Sequence, residues 1–570
     1  MKKLRWQLLI VLVALIAIGI LLAGQQSQLE IVNPLPIDEP QSGGEYSEAL
    51  IGQLRRLNPV LDYYNQVDRD VDRLIFSSLI KFDHRGLPQG DLAETWGISQ
   101  NGETYNFSIR PDAVWHDGEP VTSFDVIFTV ELMRDEGIPL PEDLREFWNG
   151  VEVKDLDEKT LQFILPEPFT PFLDYLAFGI LPEHILGGLS AEEIIDHPFN
   201  LQPIGSGPFL FEDLASNSGE IESIRLGGFP NYYGKIPFLE TVIFKYYTDS
   251  GSAMQAYQNG DVLGIGEISI DILPQALIEP QLDLYSSRLP RIAMVFLNLD
   301  SPGAPFMSDP EIRRALMLGL NRRWIADRIM GGQAIIAHSP IFPESWAYYD
   351  GITQIEYDPQ AAIELLKKAG YTIPSEGGQV RSKEGVALSF ELVYPDSELY
   401  ASIADQISQD WKKIGVEVTL VPVPIDELIE ENLDSRDYEA ALIEINLARS
   451  PDPDPYPFWH QAQITQGQNY SKWDDRQVSE YLERARVTLD FDERVRLYRN
   501  FQVRFGSDLP ALLLFYPVYT YGIDFQVRGV SIGPLYDPSD RFNSIVDWYL
   551  YTGPLDIDTP PVEVMPTQTP

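Results

Sequence analysis

The sequence predicts an α/β protein, and three observations carry the prediction. First, Leu388-Ser-Phe-Glu-Leu-Val-Tyr394 alternates as a strand, and Val416, Val418 and Leu420 alternate again. Second, between them Ile403, Ile407, Trp411 and Ile414 recur on one helix face that Gly415 closes. Strand, helix and strand in that order imply a parallel pair with a right-handed crossover. Third, Tyr438-Glu-Ala-Ala-Leu-Ile-Glu-Ile445 reads as a further buried strand, reached through another short helical segment. It runs into Arg449-Ser-Pro-Asp-Pro-Asp-Pro-Tyr-Pro-Phe-Trp-His460, where four prolines are expected to forbid both helix and central strand by removing amide donors and fixing φ. The expected result is a stiff loop at the carboxyl end of a strand, carrying Asp452, Asp454, Tyr456 and Trp459. Ligands of open α/β sheets sit at such ends. The competing reading is a well-packed turn with exposed carboxylates.

From the amino end, Lys2, Lys3 and Arg5 precede Leu8 to Gly24, an apolar segment without charge. This is the pattern of an export signal, borderline in length for a spanning helix. Leu22-Ala23-Gly24-Gln25 is a poor cleavage site, which favours an uncleaved anchor with the rest of the chain outside. Residues 25–44 are polar and read as a tether. Asp70-Val-Asp-Arg-Leu-Ile-Phe-Ser-Ser-Leu-Ile80 has helical spacing, Tyr105 to Arg110 alternates, and Ser123 is a candidate N-cap for a helix from Phe124. Pro203-Ile-Gly-Ser-Gly-Pro-Phe209 lacks the spacing and lysine of a phosphate loop and reads as a tight turn; Gly264-Ile-Gly266 lacks the third glycine of a dinucleotide loop. Asp309-Pro310 and Asp358-Pro359 open capped helices, and the second stops at Gly370. Helical stretches near 478–487 and 492–505 precede Pro510 to Gly522, an apolar, aromatic strand that could return to the first half. The Pro/Thr-rich end reads as a disordered tail.

Composition narrows the function. The 570 residues can bury a large core, and length alone gives three or four domains as a prior. A net charge of −44 repels phosphate backbones, which makes nucleic acid a poor candidate partner, and argues against broad contact with anionic lipid. The absence of cysteine excludes disulfides, thiol catalysis, thiolate metal sites and a lipid-modified N-terminal cysteine.

Taken together, several motifs resemble the extracytoplasmic solute-binding proteins of ABC importers, in the dipeptide, oligopeptide and nickel-binding family. They are Leu57-Asn58-Pro59, Leu92-Ala-Glu-Thr-Trp96, Trp115 to Thr129, Pro203 to Phe209, Asp309-Pro-Glu-Ile-Arg-Arg-Ala315, Tyr357-Asp-Pro-Gln-Ala361, Gly467-Gln-Asn-Tyr470 and Arg541-Phe542. The resemblance covers roughly residues 42–552 and implies a two-lobed, type II binding-protein fold with two crossover hinge strands, near Leu289 to Leu299 and Leu509 to Gly522. It divides the chain into a signal anchor or signal peptide (1–28), a tether (29–41), a first-lobe core (42–80, 200–290 and 509–553), a subdomain inserted in that lobe (81–199), a second lobe (291–508) and a tail (554–570). It implies a solute bound between closing lobes, and delivery to a membrane permease with an ATPase on the cytoplasmic side. No ATPase motif occurs in this chain. It implies a monomer and no cofactor.

In peptide-binding members of that family an aspartate holds the ligand's ammonium three residues before the acid-proline pair, here Asp452-Pro453. The matching position is Arg449, which only donates hydrogen bonds. Either Asp452 or Asp454 takes over that role, or the ligand offers a carboxylate or another acceptor. The first-lobe contacts map to Gln53, Leu54 and Arg55. Asn446 stands where relatives often carry an aromatic neighbour of the ligand, and Tyr456 and Trp459 are candidate cleft walls, with core packing as their alternative role.

Other functions find less support. Asp452 and Asp454 could form the paired acids of a secreted hydrolase, but no nucleophile elbow accompanies them. His84, His116, His184, His197, His338 and His460 are scattered without metal-ligand spacing, and Asp452-x-Asp454 lacks the rest of a calcium loop. A surface sensor, or a binder of oligosaccharide, haem or a metal chelate, fits the same scaffold.

Overall fold

The computed structural model describes residues 40–83, 85–375, 377–447 and 451–551. The N-terminal apolar segment, most of the tether and the tail lie outside the described residues, as do His84 and Arg449.

Strands Ser389–Pro395 and Glu417–Val423 pair in parallel around helix Glu398–Ile414, the predicted unit. Ser397 caps the helix by accepting the Tyr400 N–H, and Gly415 ends it at φ 86°, a conformation that costs glycine nothing. Strand Ala440–Asn446 lies parallel on the other side of Ser389–Pro395, and Arg291–Leu297 pairs antiparallel beyond it. Alternation then splits the core. Ala293, Val295, Leu297 and Leu442 pack on the face covered by helix Glu398–Ile414. Met294, Phe296, Ala441 and Ile443 pack on the other, against residues of helices Arg476–Val487 and Phe491–Asp508. A strand buried on both faces loses the polar alternation of a one-sided sheet, which is why these runs are almost wholly apolar.

The 14-residue strand Ala511–Asp524 joins the two lobes. Its first part pairs with Arg291–Leu297, from Phe296 opposite Ala511 to Ala293 opposite Phe515. Its second part pairs with Leu282–Arg288, from Arg288 opposite Val518 to Leu282 opposite Asp524. Past Gly264–Ile265 the sheet continues through Glu45–Ile51, Thr241–Tyr247, Glu220–Gly228 and Phe209–Asn217. Strands Leu282–Arg288 and Arg291–Leu297, joined by Leu289-Pro290, form the second passage from lobe to lobe. These are the two crossovers expected near Leu289 to Leu299 and Leu509 to Gly522. A separate four-stranded antiparallel sheet is built from Ala93–Ile98, Thr104–Ile109, Thr160–Ile164 and Glu152–Asp157.

Two local expectations shift. The helix expected from Phe124 spans Ser123–Arg134, and the Thr122 N–H and hydroxyl both donate to Asp125. Ser123 is instead the first helical residue, behind the N-cap Thr122, and its hydroxyl donates to the Asp157 carbonyl. The helical pattern read from Asp70 to Ile80 belongs to helix Gln66–Ile75, after which Ile80 opens a short strand. The turn at Pro203 to Phe209 closes over that helix end. A Cβ on Gly205 would stand 1.9 Å from the Ile75 carbonyl oxygen, so the glycine allows close backbone approach.

Candidate functional site: the cleft between the lobes

A cavity of ≈ 740 Å³ opens where the strands cross from one lobe to the other. The first lobe contributes Leu50, Ile51, Tyr64, Arg69, Asp70 and the segment Gly266 to Asp271; the second contributes Met330, Gln333, Leu399 and Glu444. Leu289, Arg291 and Pro517 to Tyr519 of the crossovers line it between them. Clefts of a few hundred to about 1,000 Å³ hold small organic ligands.

The charged groups of this wall fall into two kinds. Asp70 is already committed: Arg541, 1% exposed, donates to it at 2.9 and 2.8 Å and to Glu48 at 2.7 and 3.1 Å. Burial alone lowers the Arg541 pKa, but Asp70 and Glu48 outweigh it and hold it well above its usual value. Arg69 is likewise taken, by Asp537 at 3.1 Å. By contrast, among the described residues neither Arg291 nor Glu267 makes an ion pair within 4 Å. Burial pushes the Glu444 carboxyl up from its usual pKa, Arg291 and Tyr400 pull it back, and Glu267 pushes it up again.

The proline-rich loop is built differently. The Asp452 N–H donates to Asp174 at 2.9 Å, its carboxylate receives the Arg494 guanidinium, and Tyr498 donates to it at 3.2 Å. Asp454 is held by Arg486 through three contacts of 2.7 to 3.1 Å. Arg486 in turn lies 3.7 Å from the Tyr456 ring centroid, and that ring stacks on His460. Trp459, 1% exposed, packs against Phe296, Trp473 and Phe505. The prolines do not exclude helix altogether: Tyr456–Trp459 is a single turn, with Pro457 inside its first turn, where no intrahelical N–H is needed. Pro451 and Pro453 border a smaller hollow of ≈ 10 Å³, room for about one water.

The structure therefore distributes the residues singled out from sequence. Gln53, Leu54 and Arg55 follow directly on the cavity wall at Ile51. The Gln53 side chain reaches Glu220, Leu54 is buried, and the Arg55 N–H donates to Asp68 at 2.7 Å. Asn446 stands opposite Arg291 on paired strands. Asp452, Asp454, Tyr456 and Trp459 form a separate cluster with Arg486 and Arg494 and do not line the 740 Å³ cavity. Arg449 lies outside the described residues. Sequence reading missed Arg291, Glu444 and Glu267. The available signal was Glu444 itself, a carboxylate inside an otherwise apolar strand, where charge is seldom left without purpose.

Among the described residues no group of three or more histidine or carboxylate side chains could hold a metal ion, and no helix is long and apolar enough to cross a membrane.

The model of the bacterial extracellular solute-binding proteins, family 5 (middle), matches residues 88–466. The oligopeptide-binding protein AppA of Bacillus subtilis (strain 168) is 26% identical over 526 residues, covering 90% of this chain and 92% of that protein. The dipeptide-binding protein of Escherichia coli (strain K12) is 26% identical over 482 residues, covering 78% and 84%. The solved structure of AppA from Bacillus subtilis in complex with a nonapeptide superposes with a TM-score of 0.68 at 25% identity, covering 90% of this chain and all of that one. This chain belongs to the bacterial extracellular solute-binding proteins, family 5.

Proposed function

We propose that this protein captures a peptide-like solute in the cleft between its lobes, closes on it by bending at the two crossovers, and delivers it to the permease of an ABC importer whose ATPase lies on the cytoplasmic side. It is a binding protein that leaves its cargo chemically unchanged. The observation that carries this reading is the position of the ≈ 740 Å³ cavity, walled by both lobes and by both crossovers. A ligand there touches two bodies joined by a narrow passage, so its binding energy can shift the lobes towards the closed arrangement. The peptide-binding relatives support the class of ligand.

Within this reading Gln53, Leu54 and Arg55 lie beside the first-lobe wall and Asn446 beside the second-lobe wall, as neighbours of the ligand. Asp452, Asp454, Tyr456 and Trp459 serve by keeping the proline-rich loop rigid at the edge of the second lobe. The protein works outside the cytoplasm as a monomer, and the apolar segment from Leu8 to Gly24 behind Lys2, Lys3 and Arg5 supports either tethering or export.

Native mass spectrometry of the purified full chain tests the reading. It is offered a mixture of di-, tri- and oligopeptides and, separately, maltooligosaccharides, haem and a nickel–histidine chelate. One-to-one complexes with peptides and none with the other three are expected. A complex with only one of those three would replace the peptide reading.

A further inference from the structure

The lobes also meet directly, through residues that do not line the 740 Å³ cavity. On one side stands the single-turn segment Thr170–Leu176, whose Phe172 and Leu176 share a hydrophobic core with Tyr46, Leu50 and Phe244, so it moves with the first lobe. On the other stand the proline-rich loop and the end of helix Arg476–Val487, whose Ala485 packs with Leu482, Leu497 and Tyr498 in the second lobe. Two hydrogen bonds cross between them. The Thr170 hydroxyl donates to the Arg486 carbonyl at 2.5 Å. That carbonyl lies in the last turn of its helix, where no intrahelical N–H is left to meet it. The Asp452 N–H donates to Asp174 at 2.9 Å. Pro451 and Pro453 flank Asp452 and carry no N–H of their own, and the Asp454 N–H turns back on the Asp452 carboxylate at 3.2 Å. The stiff run therefore directs one amide, that of Asp452, at the first lobe. Around these bonds the Arg486 guanidinium lies 5.6 Å from the Phe169 ring centroid. Gly86, between strands Ile80–Phe82 and Pro88–Gly90, comes so near that a Cβ on it would stand 2.7 Å from Pro451.

We propose that Phe169, Thr170 and Asp174 of the first lobe form a latch with Asp452 and the Arg476–Val487 helix end of the second, holding the lobes together by contacts of their own. This goes beyond the cargo reading and rests only on the part of it in which the lobes bend at the crossovers. Opening exposes the Arg486 carbonyl and the Asp452 N–H, and water then takes the place of Thr170 and Asp174. A hydrogen bond exchanged for water contributes modestly, so the latch shifts the ratio of closed to open molecules without locking it. A ligand enclosed by the closed arrangement binds more tightly in proportion to the fraction of molecules already closed. The latch therefore tunes affinity for every cargo by the same factor and leaves the choice between cargoes to the cleft.

Interlobe distances in the full chain, measured by pulsed electron spin resonance, test the proposal. The chain has no cysteine, so spin labels can be placed by Leu156→Cys and Val503→Cys, exposed positions on strand Glu152–Asp157 of the first lobe and helix Phe491–Asp508 of the second. Distances are recorded alone and with a saturating mixture of alanine-based di-, tri- and oligopeptides. Without peptide, Thr170→Val keeps the side-chain shape but removes the donor, and should lower the ratio of closed to open molecules about fivefold. Asp174→Ala should lower it in the same direction, whereas Asp174→Asn, which still offers the Asp452 N–H an acceptor, should stay nearer the wild type. Affinities for the individual peptides should fall together, by no more than that factor. Because Thr170 and Asp174 reach different partners, a folding defect in one variant leaves the other to decide. Equal closed fractions in wild type, Thr170→Val and Asp174→Ala overturn the latch, and if peptide still closes the lobes the hinge reading stands without it. Separations that neither peptide nor any variant changes remove the bending of the lobes, and the latch with it.

Discussion

The proline-rich loop and the cleft wall use the same side chains to opposite ends. In the loop each carboxylate has its arginine: Asp452 has Arg494, and Asp454 has Arg486. Burial alone lowers the Arg494 pKa, but Asp452 and Tyr498 outweigh it and leave it raised, which shows how completely the pair is satisfied. In the wall, Glu444, Glu267 and Arg291 face a cavity with no such pairing among the described residues. Satisfied charges fix a shape, whereas charges left open towards a cavity select what enters it. The difference teaches that conspicuous residues can be tied up with one another, while charges that line a cavity stand on ordinary-looking strands.

Breaking one buried pair should produce the largest effect. Arg494→Ala leaves Asp452 buried without its cation, and a loss of about 3–5 kcal/mol is expected, read as a lower midpoint in urea unfolding. A change below about 1 kcal/mol would mean that the loop carboxylate finds water or another donor. The next effect is smaller. Arg486→Lys keeps the charge but gives up the paired contacts to Asp454 and the stacking on Tyr456. Because that pair is partly exposed, a cost of about 1 kcal/mol is expected from the same measurement. Smaller still is the stability change in the wall. Arg291→Ala should shift unfolding by no more than about 0.5 kcal/mol, since it breaks no ion pair, and should weaken peptide binding about tenfold. A large loss of stability from Arg291→Ala would erase the distinction between the two regions.

Legibility followed the range of the interactions. The β-α-β unit could be read because its signals are local: the spacing of Ile403, Ile407, Trp411 and Ile414, the stop at Gly415, and the alternation on either side. The crossovers also showed, because Ala511–Asp524 is too long and too apolar for a surface strand. The partners of Asp452 and Asp454 could not be read, since those arginines stand 42 and 32 residues away in the chain. Nothing in a Pro-Asp-Pro-Asp spacing announces those partners. Arg291 escaped notice because it opens an apolar run and looks like a strand end. Its neighbourhood with Glu444 exists only once Arg291–Leu297 and Ala440–Asn446 pair.

A third group of acids sharpens the comparison at its small end, because here carboxyls are gathered mainly against one another. Asp62, Asp68 and Asp72 lie under the Gln53–Arg55 segment, and Asp68 accepts the Arg55 and Arg56 N–H groups at 2.7 and 3.2 Å. Burial, followed by the charges of Asp62 and Asp68, pushes Asp72 well above its usual pKa, and burial raises Asp68 to about 6 despite those two hydrogen bonds. A carboxyl whose folded pKa exceeds its unfolded value binds protons more tightly when folded. Its contribution to stability is therefore present at low pH and lost as pH rises through the folded value. Between an unfolded value near 4 and the raised folded values, acidification should favour the fold through this cluster. Other carboxylates work the other way: Asp537 is lowered, Arg69 and its hydrogen bonds outweighing burial. The useful quantity is thus the difference between wild type and Asp72→Asn, followed by urea unfolding from pH 7 to pH 5. Asp72→Asn should be the more stable partner at pH 7, and its advantage should shrink as the wild type takes up protons. An advantage independent of pH would mean that these acids are ionised throughout, and that open charge in this protein is not confined to the cleft.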